Sequence, residues 1–93
     1  MTQEEKLKQL RDSIDLLDNM SVCWVAERLN AASRAWDTKQ DAGMPSHAPG
    51  RWEEVLKSKK DLAAKVGVDK ELISDLMNTI HDFILKTRED EGN

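Results

Sequence analysis

The sequence predicts an all-α protein with three helices per chain, one very long and two shorter, forming an intertwined helical dimer. Two observations favour this fold class. No Pro or Gly occurs between Met1 and Asp41, so a single helix can run through that stretch without interruption. Apolar residues also recur at steps of three and four in three separate segments, and no segment shows the alternation typical of a strand. Residues 1–93 are predicted to form one domain.

The first helix is predicted to run from about Thr2 to about Gln40. Thr2 and Glu5 have the spacing of a capping box, which is typical of a helix start. The apolar stripe of this helix comprises Leu7, Leu10, Ile14, Leu17, Trp24, Ala31 and Ala35. Ser21 and Arg28 occupy two positions of the same stripe. Arg28 is the unusual one, because a guanidinium is rarely buried without a partner.

The predicted length of the first helix is the reason to expect a dimer. Roughly 38 residues at ~1.5 Å each span about 57 Å. A compact domain of this size has a radius of gyration of about 12 Å. Such a helix extends well beyond its own globule unless another chain covers it. A C2 homodimer is the simplest arrangement that does so.

The second helix follows the one clear break in the sequence. The segment from Asp41 to Gly50 holds two Pro and two Gly. We predict the second helix from about Pro49 or Gly50 to Lys65, since Pro suits a first helical turn. Its apolar positions are Trp52, Val55, Leu56, Leu62 and Ala63.

The third helix is predicted from the residues that precede it as well as from the spacing of its apolar residues. Gly67 stands where a left-handed residue ends a helix, and Asp69 is a natural N-cap for the next one. The apolar residues that follow are Leu72, Ile73, Leu76, Met77, Ile80, Phe83, Ile84 and Leu85. Residues 88–93 are expected to form a charged tail.

Composition excludes several classes of function. The formal net charge of −4 and the lack of a basic face disfavour nucleic acid as a partner. Cys23 is the single cysteine, which excludes an intrachain disulfide and favours a reducing compartment. The first residues are acidic and polar, unlike a signal peptide, and no apolar run approaches the ~20 residues of a membrane span. We therefore expect a cytoplasmic protein without membrane contact.

The sequence also lacks the usual motifs of covalent and metal chemistry. His47 and His81 have no companion at metal-ligand spacing. There is no phosphate-binding glycine loop and no nucleophile motif, so no cofactor or metal is predicted. The remaining candidates are cations on or beside apolar faces. They are Arg11, Arg28, Lys39, Arg51 and Arg88.

Part of the first helix suits a small molecule with two carboxylates. Arg28, Ala32, Ala35 and Lys39 follow one another at steps of four, three and four, so they share one helix face. The two alanines leave a hollow with a cation at each end, and arginine binds carboxylates bidentately. Arg11 lies roughly 25 Å away along the axis. It reaches the same ligand only if an antiparallel partner supplies it.

Each of these residues also has a purely structural interpretation. Arg and Lys on a long helix are usually solvated or paired, and 18 acidic residues are available. Trp24 and Trp36 are expected in a core or interface, and Trp52 either lines a pocket or packs. His81 is more often a satisfied polar contact than a catalyst. Periodicity and spacing alone predict a helical dimer that binds a small dianion.

Two of the cations, Arg11 and Arg28, stand within short motifs, and Lys39 and Arg51 follow them along the chain. Residues 10–18 are L-R-D-S-I-D-L-L-D, and residues 26–28 are A-E-R, with Arg28 following Arg11 by 17 residues. Lys39 follows 11 residues later, and Arg51 a further 12. Over essentially its whole length the chain resembles the all-helical class of chorismate mutases. Residues 49–52 and Ile80-His81 are similar to variants within that family.

The resemblance implies a fold, a reaction and a set of site residues. The expected protein is an intertwined dimer with two sites, each completed by Arg11 of the partner subunit. It would convert chorismate to prephenate in aromatic amino acid biosynthesis. Arg11 and Arg28 would bind the two carboxylates, Lys39 would donate to the ether oxygen and a carboxylate, and Arg51 would complete a positive wall. The hollow at Ala32 and Ala35 would form part of the pocket, and the other residues expected to bind substrate are Trp52, Val55, His81 and Ile84.

The end of the third helix departs from the family pattern. The family usually has a Gln or Glu there that also donates to the ether oxygen. Counting from Arg51 without a gap, that position holds Arg88, with Ile84 where Ser is common. A shift of one residue would place Thr87 and Phe83 there instead. We favour Arg88 as the second catalytic donor beside Lys39.

Substrate choice stays open at this point. Ala48 and Trp52 replace acidic residues that in much of the family hold the ring hydroxyl of the substrate. Three functions therefore compete. The first is chorismate mutase. The second is a relative on the same fold, isochorismate-pyruvate lyase or 4-amino-4-deoxychorismate mutase. The third is a non-catalytic helical dimer or ligand-sensing module.

Overall fold

Helices account for all the regular secondary structure in the residues that the structure describes, so the all-α prediction is confirmed. The structure is a computed structural model that describes residues 1–45 and 50–91, with side chains through residue 88. Helix α1 spans Gln3–Asp41, α2 spans Arg51–Val66 and α3 spans Lys70–Glu91. His47, Ala48 and the predicted helix start at Pro49 lie outside the described residues.

The start of α1 has the capping box that the sequence predicts. The backbone N–H of Glu5 donates to Oγ1 of Thr2 at 3.1 Å, and the backbone N–H of Thr2 donates to Oε1 of Glu5 at 3.3 Å. At the other end, Gly43 has a φ of 68°, and the N–H of Met44 donates to the carbonyl of Lys39 at 2.8 Å. A left-handed glycine thus ends the helix and satisfies one of its last carbonyls.

The turn between α2 and α3 also follows the predicted signals. Gly67 has a φ of 79°, and its N–H donates to the carbonyl of Ala63. Oδ1 of Asp69 accepts the N–H of Leu72 at 2.9 Å, which caps α3. Gly50 is also left-handed, with a φ of 80°, so α2 begins one residue later, at Arg51.

Helix α3 is longer than predicted. The prediction of a charged tail is wrong for residues 88–91, because α3 continues through Arg88 to Glu91. No Gly or Pro occurs in residues 68–91, so nothing in the sequence ends α3 before Gly92. Arg88 also makes contacts outside its own helix, which favour an ordered last turn.

The chain divides into two compact units, Met1–Ala31 and Ala32–Asn93. The first unit is helical from residue 3 onward, and α1 buries none of its residues. The predicted apolar stripe is therefore uncovered in the single chain. Its exposed members are Leu7, Leu10, Ile14, Leu17 and Trp24, with Leu10 61% exposed.

The second unit has a small core where α2 packs against α3. Among the described residues, the buried apolar side chains are Ala63, Met77 and Ile80, and Ser74 is buried beside them. Another face of α3 remains exposed through Leu72, Leu76 and Phe83. Among the helices that the structure describes, none combines the length and hydrophobicity of a membrane span.

Candidate active site

One side of α3 carries several of the predicted site residues. Positions 74, 77, 81, 84 and 88 follow at steps of three and four, so they lie along one face. Ser74 and Met77 are buried, whereas His81, Ile84 and Arg88 are half-buried. Along this face the side chains change from a packed core to polar groups at the C-terminal end of the helix.

Arg88 reaches from α3 to α1. Its Nη1 lies 3.3 Å from Oδ1 of Asp37, and its Nη2 donates to the backbone carbonyl of Ser33 at 3.1 Å. Nη2 also donates to Oγ of Ser33. The Arg88 side chain is only 15% exposed, so these acceptors replace much of the water that a guanidinium would otherwise bind.

Thr87, the alternative donor, makes a different kind of contact. Its Oγ1 donates to the carbonyl of Phe83 at 2.9 Å, within α3 itself. Adjacent helical residues differ by about 100° in direction, so Thr87 and Arg88 present different sides of the helix. Of the two residues, Arg88 is the one with hydrogen bonds to α1.

Trp52 forms a second cluster with α3. Its Nε1 donates to Oδ1 of Asn78 at 2.8 Å. Its ring stacks on the imidazole of His81, with centroids 3.8 Å apart and planes 9° from parallel. The one polar atom of the indole is thus engaged, and one face of the ring is covered. Val55, the next predicted residue on α2, is half-buried.

The residues of the predicted hollow on α1 differ in exposure. Lys39 and Ala32 are half-buried and Ala35 is exposed, all in the second unit. Arg28 belongs to the first unit and is half-buried. Among the described residues, Arg28 has no ion pair that explains its position on an apolar stripe.

Arg11 and Arg51 are more open to solvent. Arg11 is exposed on the first unit. Arg51 lies 4.0 Å from Glu54, and both side chains are more than two-thirds exposed. Such a pair is weak in water and leaves the guanidinium available to other anions.

Two clusters of described contacts in the second unit include predicted site residues. One joins Arg88 to Ser33 and Asp37, and the other joins Trp52 to Asn78 and His81. The sequence did not predict Ser33, Asp37 or Asn78. The available signal was the spacing of Ser33 and Asp37, since two acceptors four residues apart lie side by side on a helix.

One concave feature on α2 lies away from the predicted site residues. An open concavity of about 560 Å³ along α2 is lined by Glu54, Lys57, Ser58, Asp61, Leu62 and Lys65. Its mixture of acids and lysines does not select an anion. The residues that the structure describes contain no group of three or more His, Cys, Asp or Glu side chains able to hold a metal ion.

Comparison with known proteins shows the family. Residues 10–89 match the family Chorismate mutase type II, and the chain belongs to this family. The T-protein of Haemophilus influenzae is 36% identical over 73 residues, which cover 78% of this chain and 19% of that protein. The T-protein of Enterobacter agglomerans is 29% identical over 87 residues, which cover 94% of this chain and 23% of that protein.

A third relative is similar over most of its own length. The 4-amino-4-deoxychorismate mutase of Streptomyces venezuelae is 31% identical over 85 residues, covering 91% of this chain and 79% of that protein. By contrast, the chain spans only about a fifth of the two T-proteins, 19% and 23% of their lengths. No solved structure matches the chain significantly. The family resemblance noted in the sequence is confirmed.

Proposed function

We propose that this chain is a chorismate mutase that rearranges chorismate to prephenate. Family membership supports a small-molecule isomerase. The anchoring of Arg88 is the observation that carries the proposal furthest. It places a permanent cation, 15% exposed, on the α3 face that also holds His81 and Ile84.

Cationic residues that bind the substrate and stabilise developing negative charge are sufficient for this reaction. A pericyclic rearrangement needs no nucleophile and no proton transfer. Catalysis consists of holding a dianion in its compact conformer and stabilising the negative charge that grows on the breaking ether oxygen. In the proposed site Arg28 and the partner's Arg11 bind the two carboxylates. Lys39 and Arg88 donate to the ether oxygen, and Arg51 completes the positive wall.

The choice of Arg88 over Thr87 is supported by their contacts. The Thr87 hydroxyl donates to the carbonyl of Phe83, whereas the Arg88 guanidinium lies against α1, the helix that carries Lys39. If Lys39 and Arg88 are the two donors, the count from Arg51 to the end of α3 matches the family pattern without a gap. The shifted register would place Phe83 in the pocket and favour the lyase, so the contacts of Arg88 make the lyase less favoured.

A homodimer is part of the proposal because one chain leaves two apolar faces uncovered. The first is the α1 stripe, represented by Leu10 and Ile14, which are 61% and 54% exposed. The second is the α3 face with Leu72, Leu76 and Phe83. Among the residues whose side chains the structure describes, three buried apolar residues make a very small core. A second copy would cover α1 and supply the partner's Arg11.

A second candidate is the 4-amino analogue of chorismate as substrate. The relative named 4-amino-4-deoxychorismate mutase matches over 91% of this chain. Trp52 stands where the family often has an acid, and its indole N–H already donates to Asn78. At this position the proposed site therefore has no carboxylate and no free hydrogen-bond donor for the ring hydroxyl of the substrate. Selection between the hydroxyl and amino substrates then depends on other groups.

Product identification tests the proposed reaction. We expect purified protein to convert chorismate to prephenate faster than a buffer control, and faster than it converts the 4-amino analogue. Isochorismate should give no pyruvate. The Arg28→Ala variant, purified in the same way, controls for a contaminating mutase. Preference for the amino analogue would select the second candidate, and a lack of turnover on all three compounds would favour a non-catalytic dimer.

Folding and dimerisation should occur together. Sedimentation at micromolar concentration should give about twice the 10.6 kDa chain mass, and the unfolding midpoint should rise with protein concentration. Leu10→Glu should weaken the dimer because it places a charge in the α1 stripe. Val22→Glu is the matched control, since Val22 is 70% exposed and lies off that stripe. A stable monomer with a concentration-independent midpoint would contradict the shared site.

The two α1 cations should be needed for turnover. Arg28→Ala and Lys39→Ala should each lower kcat/KM roughly 10²-fold or more, the scale of losing one charge-stabilising donor. Helix content by circular dichroism should hardly change. Arg34→Ala is the control, because Arg34 is exposed on the same helix. Near-normal kcat/KM in both variants would mean that Arg28 and Lys39 are ordinary surface charges.

Substitutions of the adjacent residues Arg88 and Thr87 should differ in their effect on kcat. Arg88→Ala should lower kcat by roughly 10²-fold, as expected for a lost ether-oxygen donor. Thr87→Ala should have little effect because its hydroxyl bonds within α3. Lys86→Ala, at an exposed position, controls for losing any cation near the helix end. If Thr87→Ala were the damaging change, the alignment shifted by one residue would be correct.

A further inference from the structure

The contacts of Arg88 with α1 restrict its guanidinium at two points. Ser33 accepts from Nη2 with both its backbone carbonyl and its hydroxyl, and Asp37 contacts Nη1. An arginine side chain has several rotatable bonds and loses much rotamer freedom when it is held. Two separate attachment points on a planar group determine both its position and its tilt.

The two partners contribute differently. The backbone carbonyl of Ser33 is part of the helix itself and cannot move independently of α1. Asp37 supplies the negative charge, and its side chain is 62% exposed, whereas that of Arg88 is 15% exposed. A cation withdrawn from water needs such acceptors to remain in place. Lys39 follows Asp37 by two residues on the same helix.

We infer that Ser33 and Asp37 are positioning residues for Arg88, a role that rests on the proposed function. They act through the guanidinium and are not assigned a contact with substrate. One segment of α1, residues 33–39, then carries the donor Lys39 and the anchors of the second donor. The spacing of the two ether-oxygen donors is set by this segment. A misplacement of about 1 Å can cost roughly 10²-fold in rate, so the anchors matter for catalysis.

The test separates positioning from simple stabilisation. Asp37→Ala should lower kcat roughly tenfold or more through misplacement of Arg88, with a smaller change in KM. Asp37→Glu should recover part of the loss, because a carboxylate remains. Ser33→Ala should have a milder effect, since the backbone carbonyl is kept. Asp61→Ala, at an exposed position in the middle of α2, is the matched control and should leave kcat unchanged.

A double-mutant cycle identifies the route of the effect. In an Arg88→Ala background, Asp37→Ala should cause no further loss of kcat, because the group that it positions is already absent. A second full loss in that background would overturn the inference. So would a normal kcat in Asp37→Ala with a lowered unfolding midpoint, and this outcome would leave the proposed function intact. A wild-type chain inactive on both chorismate and its amino analogue would overturn the proposed function and the positioning role together.

Discussion

The guanidinium of Arg88 links α3 to α1 because a cation withdrawn from water must be matched by acceptors. In the second unit the described apolar core lies between α2 and α3, at Ala63, Met77 and Ile80. The hydrogen bonds described from α3 to α1 are those of Arg88 with Ser33, supported by Asp37. A directional polar contact therefore connects the two helices that would carry the ether-oxygen donors. Such a contact specifies relative position more sharply than apolar burial, which has no preferred direction.

Local signals predicted the helices well. The Thr2 capping box and the Asp69 N-cap each involve residues three apart, so the sequence contains everything that determines them. The end of α3 was predicted too early, because a charged run resembles a tail unless the anchoring of Arg88 is known. That contact joins residues 55 apart, and the Trp52–Asn78 bond joins residues 26 apart. Contacts of this kind depend on which helix faces meet, and one sequence does not specify that.

In the candidate site, too, the sequence predicted residue types better than it predicted the contacts that orient their side chains. That Trp52 and His81 bind substrate stays a prediction, and what the structure shows is that their rings stack. The resemblance did not predict the hydrogen bond from the indole N–H of Trp52 to Asn78, which occupies the one donor of that ring. A ring with its polar atom occupied presents carbon to the space beside it. Discrimination between a hydroxyl and an amino group is strong only where a site makes hydrogen bonds to that group. Trp52 is thus poorly suited to distinguish the two proposed substrates.

Asp37 both holds Arg88 and opposes its charge, and these two effects act against each other in the proposed reaction. A carboxylate close to a guanidinium lowers the positive potential that a developing oxyanion experiences. The exposure of the two groups limits this loss. Asp37 is 62% exposed, so water screens its charge, whereas Arg88 is 15% exposed and is screened much less. Arg88 would then act chiefly as a directed hydrogen-bond donor, which is the property that fixed anchors on α1 preserve.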